Sequence, residues 1–157
     1  MDVDLITGDD ASRHADGLSG WSVEGTATMV ASGADVAAAL ESALTSLLRA
    51  ICGDGVFSLL SAGLSTPIQA EAGDLSALLV ELTAALLDQL EGEVGAVCGF
   101  TMDGALRTDE GWTAWGVARL AEGVRPTVRP VEFVGTPVVV ETSGGVTIEA
   151  RVRRAGG

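Results

Sequence analysis

Lys and Tyr are absent from this 157-residue chain, and His14 is its only histidine. Without Lys there is no phosphate-binding P-loop lysine, no kinase-type lysine and no Schiff base. One His cannot build an H-E-x-x-H zinc site or a His-rich iron or copper centre. The two cysteines, Cys52 and Cys98, stand too far apart for a C-x-x-C pair, and no Ser occupies a G-x-S-x-G elbow. The catalytic kits built on these residues are therefore excluded. Both cysteines read as reduced core thiols, because a free Cys packs as a small hydrophobe.

Basic residues are scarce: nine, all Arg, against 22 acids, for a formal charge of −13. A nucleic-acid binder neutralises phosphates with a basic stripe, so direct nucleic-acid binding is not expected. The imbalance is local. Residues 1–100 carry 15 acids and only Arg13 and Arg49, whereas residues 101–157 carry seven of each sign. The acidic part reads either as a solvated face that keeps the protein soluble or as a docking surface for a basic partner.

Long apolar runs are missing too. The longest uncharged stretch, Gly55 to Ala70, has 16 residues and contains Pro67, whereas a spanning helix needs about 20 apolar residues. The start, Met1-Asp-Val-Asp-Leu, has no basic and apolar signal pattern. A cytoplasmic protein with no membrane partner is the expectation.

What is present is enough for a core: 47% apolar residues and a mean hydropathy of +0.38 describe a globular chain. Residues 1–20, rich in Asp, Gly and Ser without a period, read as a flexible acidic leader, and 21–157 as a single domain. Residues 21–33 look like a strand ending at Gly33. Val36, Leu40, Leu44, Leu47 and Ile51 then recur at helical spacing behind Asp35 as N-cap. Residues 55–72 signal weakly, and only Ile68 to Glu71 reads as a strand. Asp74 opens a second helix on Leu75, Leu78, Leu79, Leu82, Leu86 and Leu90, with positions such as Gln89 expected outside.

The second half alternates. Val94, Ala96, Cys98 and Phe100 form one strand face, Asp103-Gly104 signals a hairpin, and Trp112, Ala114, Gly116, Ala118 and Leu120 share the next face. Residues 121–130 read as a Pro- and Arg-bearing connection. Val138 to Val140 and Val146, Ile148, Ala150 and Val152 make a second hairpin around Ser143-Gly-Gly. The sum is an α+β domain, with two amphipathic helices packed on one face of a mainly antiparallel sheet.

Carboxylates are the only abundant reactive groups. Asp2/Asp4, Asp9/Asp10, Glu91/Glu93 and Asp109/Glu110 are pairs that offer hard oxygen donors, but none has the spacing of a defined cation loop. His14-Ala15-Asp16 offers a dyad inside the leader. Trp21, Trp112 and Trp115 read as packing or sheet-face residues, since a base-stacking platform needs basic neighbours. No catalytic, cofactor or metal residue is assigned on these grounds.

One run carries a family likeness. Gly73-Asp-Leu-Ser-Ala-Leu-Leu-Val-Glu-Leu-Thr-Ala-Ala-Leu-Leu-Asp closely resembles the second helix of the archease family. Gly33-Ala-Asp-Val-Ala-Ala-Ala-Leu-Glu-Ser-Ala-Leu resembles its first helix, and Glu24-Gly-Thr-Ala-Thr resembles its His-Thr-Ala-Asp signature. The resemblance spans residues 21–154 in element order. It implies a non-enzymatic accessory factor of the tRNA-splicing RNA ligase, with a divalent ion held by acids. The departures fall on those acids. The family histidine aligns with Gly25, its metal-binding aspartate with Thr28 and the partnering C-terminal aspartate near Ala155. The family's late Lys-Ala-Val-Thr-Tyr-like segment reads Glu132-Phe-Val-Gly-Thr. A diverged member without the metal motif is the leading expectation, with an RNA ligase as the protein partner. The alternatives are a stand-alone acidic interaction module and, less supported, a hydrolase using scattered carboxylates around a metal.

Overall fold

The computed structural model describes residues 17–19, 21–52, 64–91, 95–122 and 131–154. Seven strands and two helices follow in the order β1 (Gly17–Leu18), β2 (Thr26–Gly33), α1 (Val36–Cys52), β3 (Leu64–Ala72), α2 (Leu75–Glu91), β4 (Gly95–Thr108), β5 (Gly111–Glu122), β6 (Val131–Thr142) and β7 (Gly145–Arg154). The class is α+β, and every strand pairing is antiparallel.

The strands do not form one sheet. They divide into a four-stranded sheet, β1-β2-β7-β6, and a three-stranded sheet, β3-β5-β4. Each helix touches both: α1 packs on β2, β7 and β4, and α2 packs on β3, β5 and β6. Two helical faces and the inner faces of two sheets thus enclose one core, from Met29, Leu40, Leu44 and Leu48 to Leu78, Leu82, Phe100 and Ile148. Periodicity within a strand says which face is apolar, but not which strands share a sheet.

Both helices start alike. After β2, Asp35 Oδ1 accepts the amide of Ala38 at 2.9 Å. After β3, Asp74 Oδ1 accepts the amide of Ala77 at 2.8 Å. Each carboxylate satisfies one of the amides that a first helical turn leaves without a partner. The expected leucine stripe of α2 is inside, with Leu78, Leu79 and Leu82 fully buried. Gln89, expected outside, is half-buried.

Three expectations meet a different geometry. Gly17 and Leu18, inside the expected leader, form β1 against Val30 and Met29 of β2, and Leu18 packs on the core. Residues 1–16 of that leader lie outside the described residues. Asp103-Gly104 is not a hairpin: it lies within β4, at a bulge in the register with β5 between Met102 and Gly104. The chain turns instead at Asp109-Glu110. The glycine serves the cross-strand neighbour, because the Trp115 indole lies where a Cβ on Gly104 would stand. The Ser143-Gly144 hairpin is as expected, with Thr142 opposite Gly145. Residues 64–72, weak in sequence, make an edge strand, a position that tolerates Pro67.

Candidate functional site

The end of the four-stranded sheet formed by β2 and β7 is where the archease resemblance would put a divalent ion. Thr28 lies in β2 opposite Arg151 of β7, and Thr26 lies opposite Arg153. Ser19 Oγ accepts the Thr28 amide at 2.9 Å, and Arg153 is ion-paired with Glu132 of β6. Arg154 stacks on the Trp21 ring, 4.3 Å from its centroid. Neutral hydroxyls opposite guanidinium groups are the wrong donor set for a hard cation, which wants several carboxylate or carbonyl oxygens. These residues do not fit the ion. Gly25 sits in the preceding turn with φ +82°, and its carbonyl accepts the Arg154 amide at 3.1 Å. Ala155 lies outside the described residues.

The other sequence candidates are scattered. Asp2, Asp4, Asp9, Asp10, His14, Asp16 and Glu93 lie outside the described residues. Glu91 ends α2, and Asp109 and Glu110 occupy the exposed β4–β5 turn. Among the described residues, no three His, Cys, Asp or Glu side chains converge as metal ligands would. Cys52 ends α1 and Cys98 lies in β4; their side chains lie outside the described residues. Trp21 and Trp112 are half-buried against the core, as a packing role requires. Trp115 lies on the outer face of its sheet, 36% exposed.

A surface that sequence reasoning missed is a groove of about 280 Å³ between the first turns of α2 and the bulged part of β6. Ala77, Val80 and Pro137 give it apolar walls, and Asp74 and Glu81 stand at its rim. The Ser76 hydroxyl donates to the Pro137 carbonyl at 2.5 Å and so ties α2 to the strand at the bulge between Val134 and Val138. Among the described residues, β6 is the outer strand of its sheet. Its Val138 and Val140 are 55% and 49% exposed, on the sheet face turned away from the helices. Pro137, beside the Val138-Val-Val run, is a residue that an outer strand tolerates. The groove itself has no signature in sequence, because its two walls are more than 50 residues apart. No helix among the described residues is long and apolar enough to cross a membrane.

No protein-family model matches this chain, and no curated protein matches it either. Its fold is similar to the solution structure of protein 1598 of Methanobacterium thermoautotrophicum, a structural genomics target. The TM-score is 0.65 over 87% of this chain and 98% of that one, at 17% identity. At that identity the likeness is one of fold. It extends over nearly the whole length of both chains.

Proposed function

We propose that this chain is a non-catalytic, archease-like accessory protein of the tRNA-splicing RNA ligase, diverged at the position where the family holds its ion. The supporting observation is the junction of β3 and α2. The Gly73-Asp74-Leu75 run that carries the resemblance is a strand end running into an Asp-capped helix, and its Leu78, Leu79, Leu82 and Leu86 stripe lies in the core. An accessory role asks for surfaces rather than for an oriented base and nucleophile. The ligase would be the protein partner, and RNA would be met through it.

The test is a guanylylation assay with the tRNA-splicing ligase of the same cell, radiolabelled GTP and catalytic amounts of this protein. The expected result is that the ligase passes from one turnover to many. An unchanged ligase, with no complex on size-exclusion chromatography, would overturn the proposal.

A second reading, a stand-alone module for basic protein partners, is favoured by one observation: the α2–β6 groove has acids along its lining, beside a strand whose outer edge pairs with no other strand among the described residues.

A further inference from the structure

We propose that the β6 edge and the adjoining α2 groove bind an extended, basic segment of a protein partner. The segment adds as a strand beside β6 and lays one long cationic side chain into the groove. The inference does not depend on the partner being an RNA ligase.

The backbone supplies the first half of the argument. Thr142 and Gly145 are register partners across the two-residue turn, and Val140 and Val138 continue that series opposite Thr147 and Glu149. A two-residue hairpin loop closes on a hydrogen-bonded pair, and such pairs alternate along an antiparallel ladder. Val140 and Val138 therefore turn their amides and carbonyls to β7, while Val139 and Glu141 turn theirs to the open edge. Pro137 belongs to the same outward series, and its carbonyl is taken by Ser76 of α2 rather than by β7. Main-chain donors and acceptors in this alternation are read by another polypeptide strand.

The side chains supply the second half. Val138 and Val140 flank the open edge with exposed apolar surface. In the groove, Ala77, Val80 and Pro137 can cover an alkyl stem while Glu81, beyond the first turn of α2, meets its charged head. Neither α2 nor β6 contains a basic residue, whereas Glu81, Asp88 and Glu141 are exposed on them. The acids beside the groove and the Val138 to Glu141 stretch fit a basic occupant, since the β7 arginines pair with β6 on the far side of its bulge, opposite Val131, Glu132 and Val134. It also disfavours a second copy of this chain: two β6 edges paired about Val139 would bring Glu141 of each copy to the Pro137 end of the other, where Glu81 stands.

The probe is a fluorescein-labelled, end-blocked heptapeptide of alternating Arg and Val, titrated into the full chain near 0.15 M salt, where exposed charges are screened beyond ~8 Å. Controls are the same peptide with Glu for Arg, and a version N-methylated at alternate residues so that one edge cannot pair. Saturable binding of the basic peptide is expected, with amide NMR shifts at Val139 and Glu141, at least tenfold weaker binding after N-methylation, and none by the acidic peptide. Glu81→Arg should weaken binding about tenfold, and Asp109→Arg, at the exposed β4–β5 turn, should leave it unchanged. Equal losses in the two variants would reduce the effect to diffuse charge and overturn the proposal. So would undiminished binding of the N-methylated peptide, absence of binding, or a sedimentation-detected dimer that Val139→Pro abolishes. Failure of ligase stimulation would leave the peptide readouts as they are, so the two proposals fail separately.

Discussion

Glu41 of α1 reaches across to β4 and accepts the backbone amide of Met102 at 2.8 Å, where the strand bulges. A bulge breaks the regular ladder, and a part-buried amide without an acceptor is costly. On the other helix Ser76 meets the carbonyl of Pro137 at the bulge of β6. Each helix thus spends one polar side chain on a bulge in a strand that is not its sequence neighbour. These contacts tie each helix to a strand distant from it in sequence.

Glu41→Ala should therefore destabilise the fold by about 1 kcal/mol or more, towards the low end of the ~1–3 kcal/mol cost of an unmet buried amide, because this one is part-buried. Glu41→Gln keeps an oxygen acceptor and should retain most of that stability. Urea unfolding of the two variants checks the order, and equal losses would place the effect in the charge rather than in the acceptor.

Leu82 is fully buried in α2, so Leu82→Ala should cost ~2–5 kcal/mol. The exposed Ala84 is the appropriate control, since Gln89 is half-buried, and Ala84→Ser should stay near ±0.5 kcal/mol. Denaturant midpoints decide the ranking.

Two glycines of the β4–β5 hairpin should respond differently to a methyl group. A Cβ on Gly104 would meet the Trp115 ring, which is partly exposed and can swing away. A Cβ on Gly116 would meet the Thr101 carbonyl and, at 3.0 Å, the Met102 Cα of the paired strand. Gly104→Ala should chiefly change tryptophan fluorescence, while Gly116→Ala forces the ladder apart and should cost about 1–3 kcal/mol, the range for overpacking. Thermal melts alongside emission spectra separate the two.

Thr28 opposite Arg151 should not support a cation site. Calorimetric titration of the protein with Mg²⁺ or Ca²⁺ near 0.15 M salt should give no single-site isotherm, only the weak response of a chain of charge −13. Tight one-to-one binding with metal-dependent stabilisation would return the carboxylate pairs to candidacy.

The local signals were legible in sequence because each rests on neighbours along the chain. The Asp35 and Asp74 caps, the leucine stripe of α2, the Ser143-Gly144 turn and the inward Ala114, Ala118 and Leu120 of β5 are all set by spacing and by the hydrogen-bonding needs of a helix end or hairpin. Asp103-Gly104 shows where that reading stops. The dipeptide permits a tight turn, but the long β4–β5 ladder and the Trp115 ring make it a bulge, because ladder pairing and ring packing outweigh a two-residue preference. The division of the strands into two sheets, the Arg151 and Arg153 opposite Thr28 and Thr26, and the meeting of α2 with the β6 edge are set by contacts between residues far apart in the chain. Spacing along a sequence fixes which face of an element is apolar; only the packing of those faces decides which elements meet, and therefore which surfaces stay open.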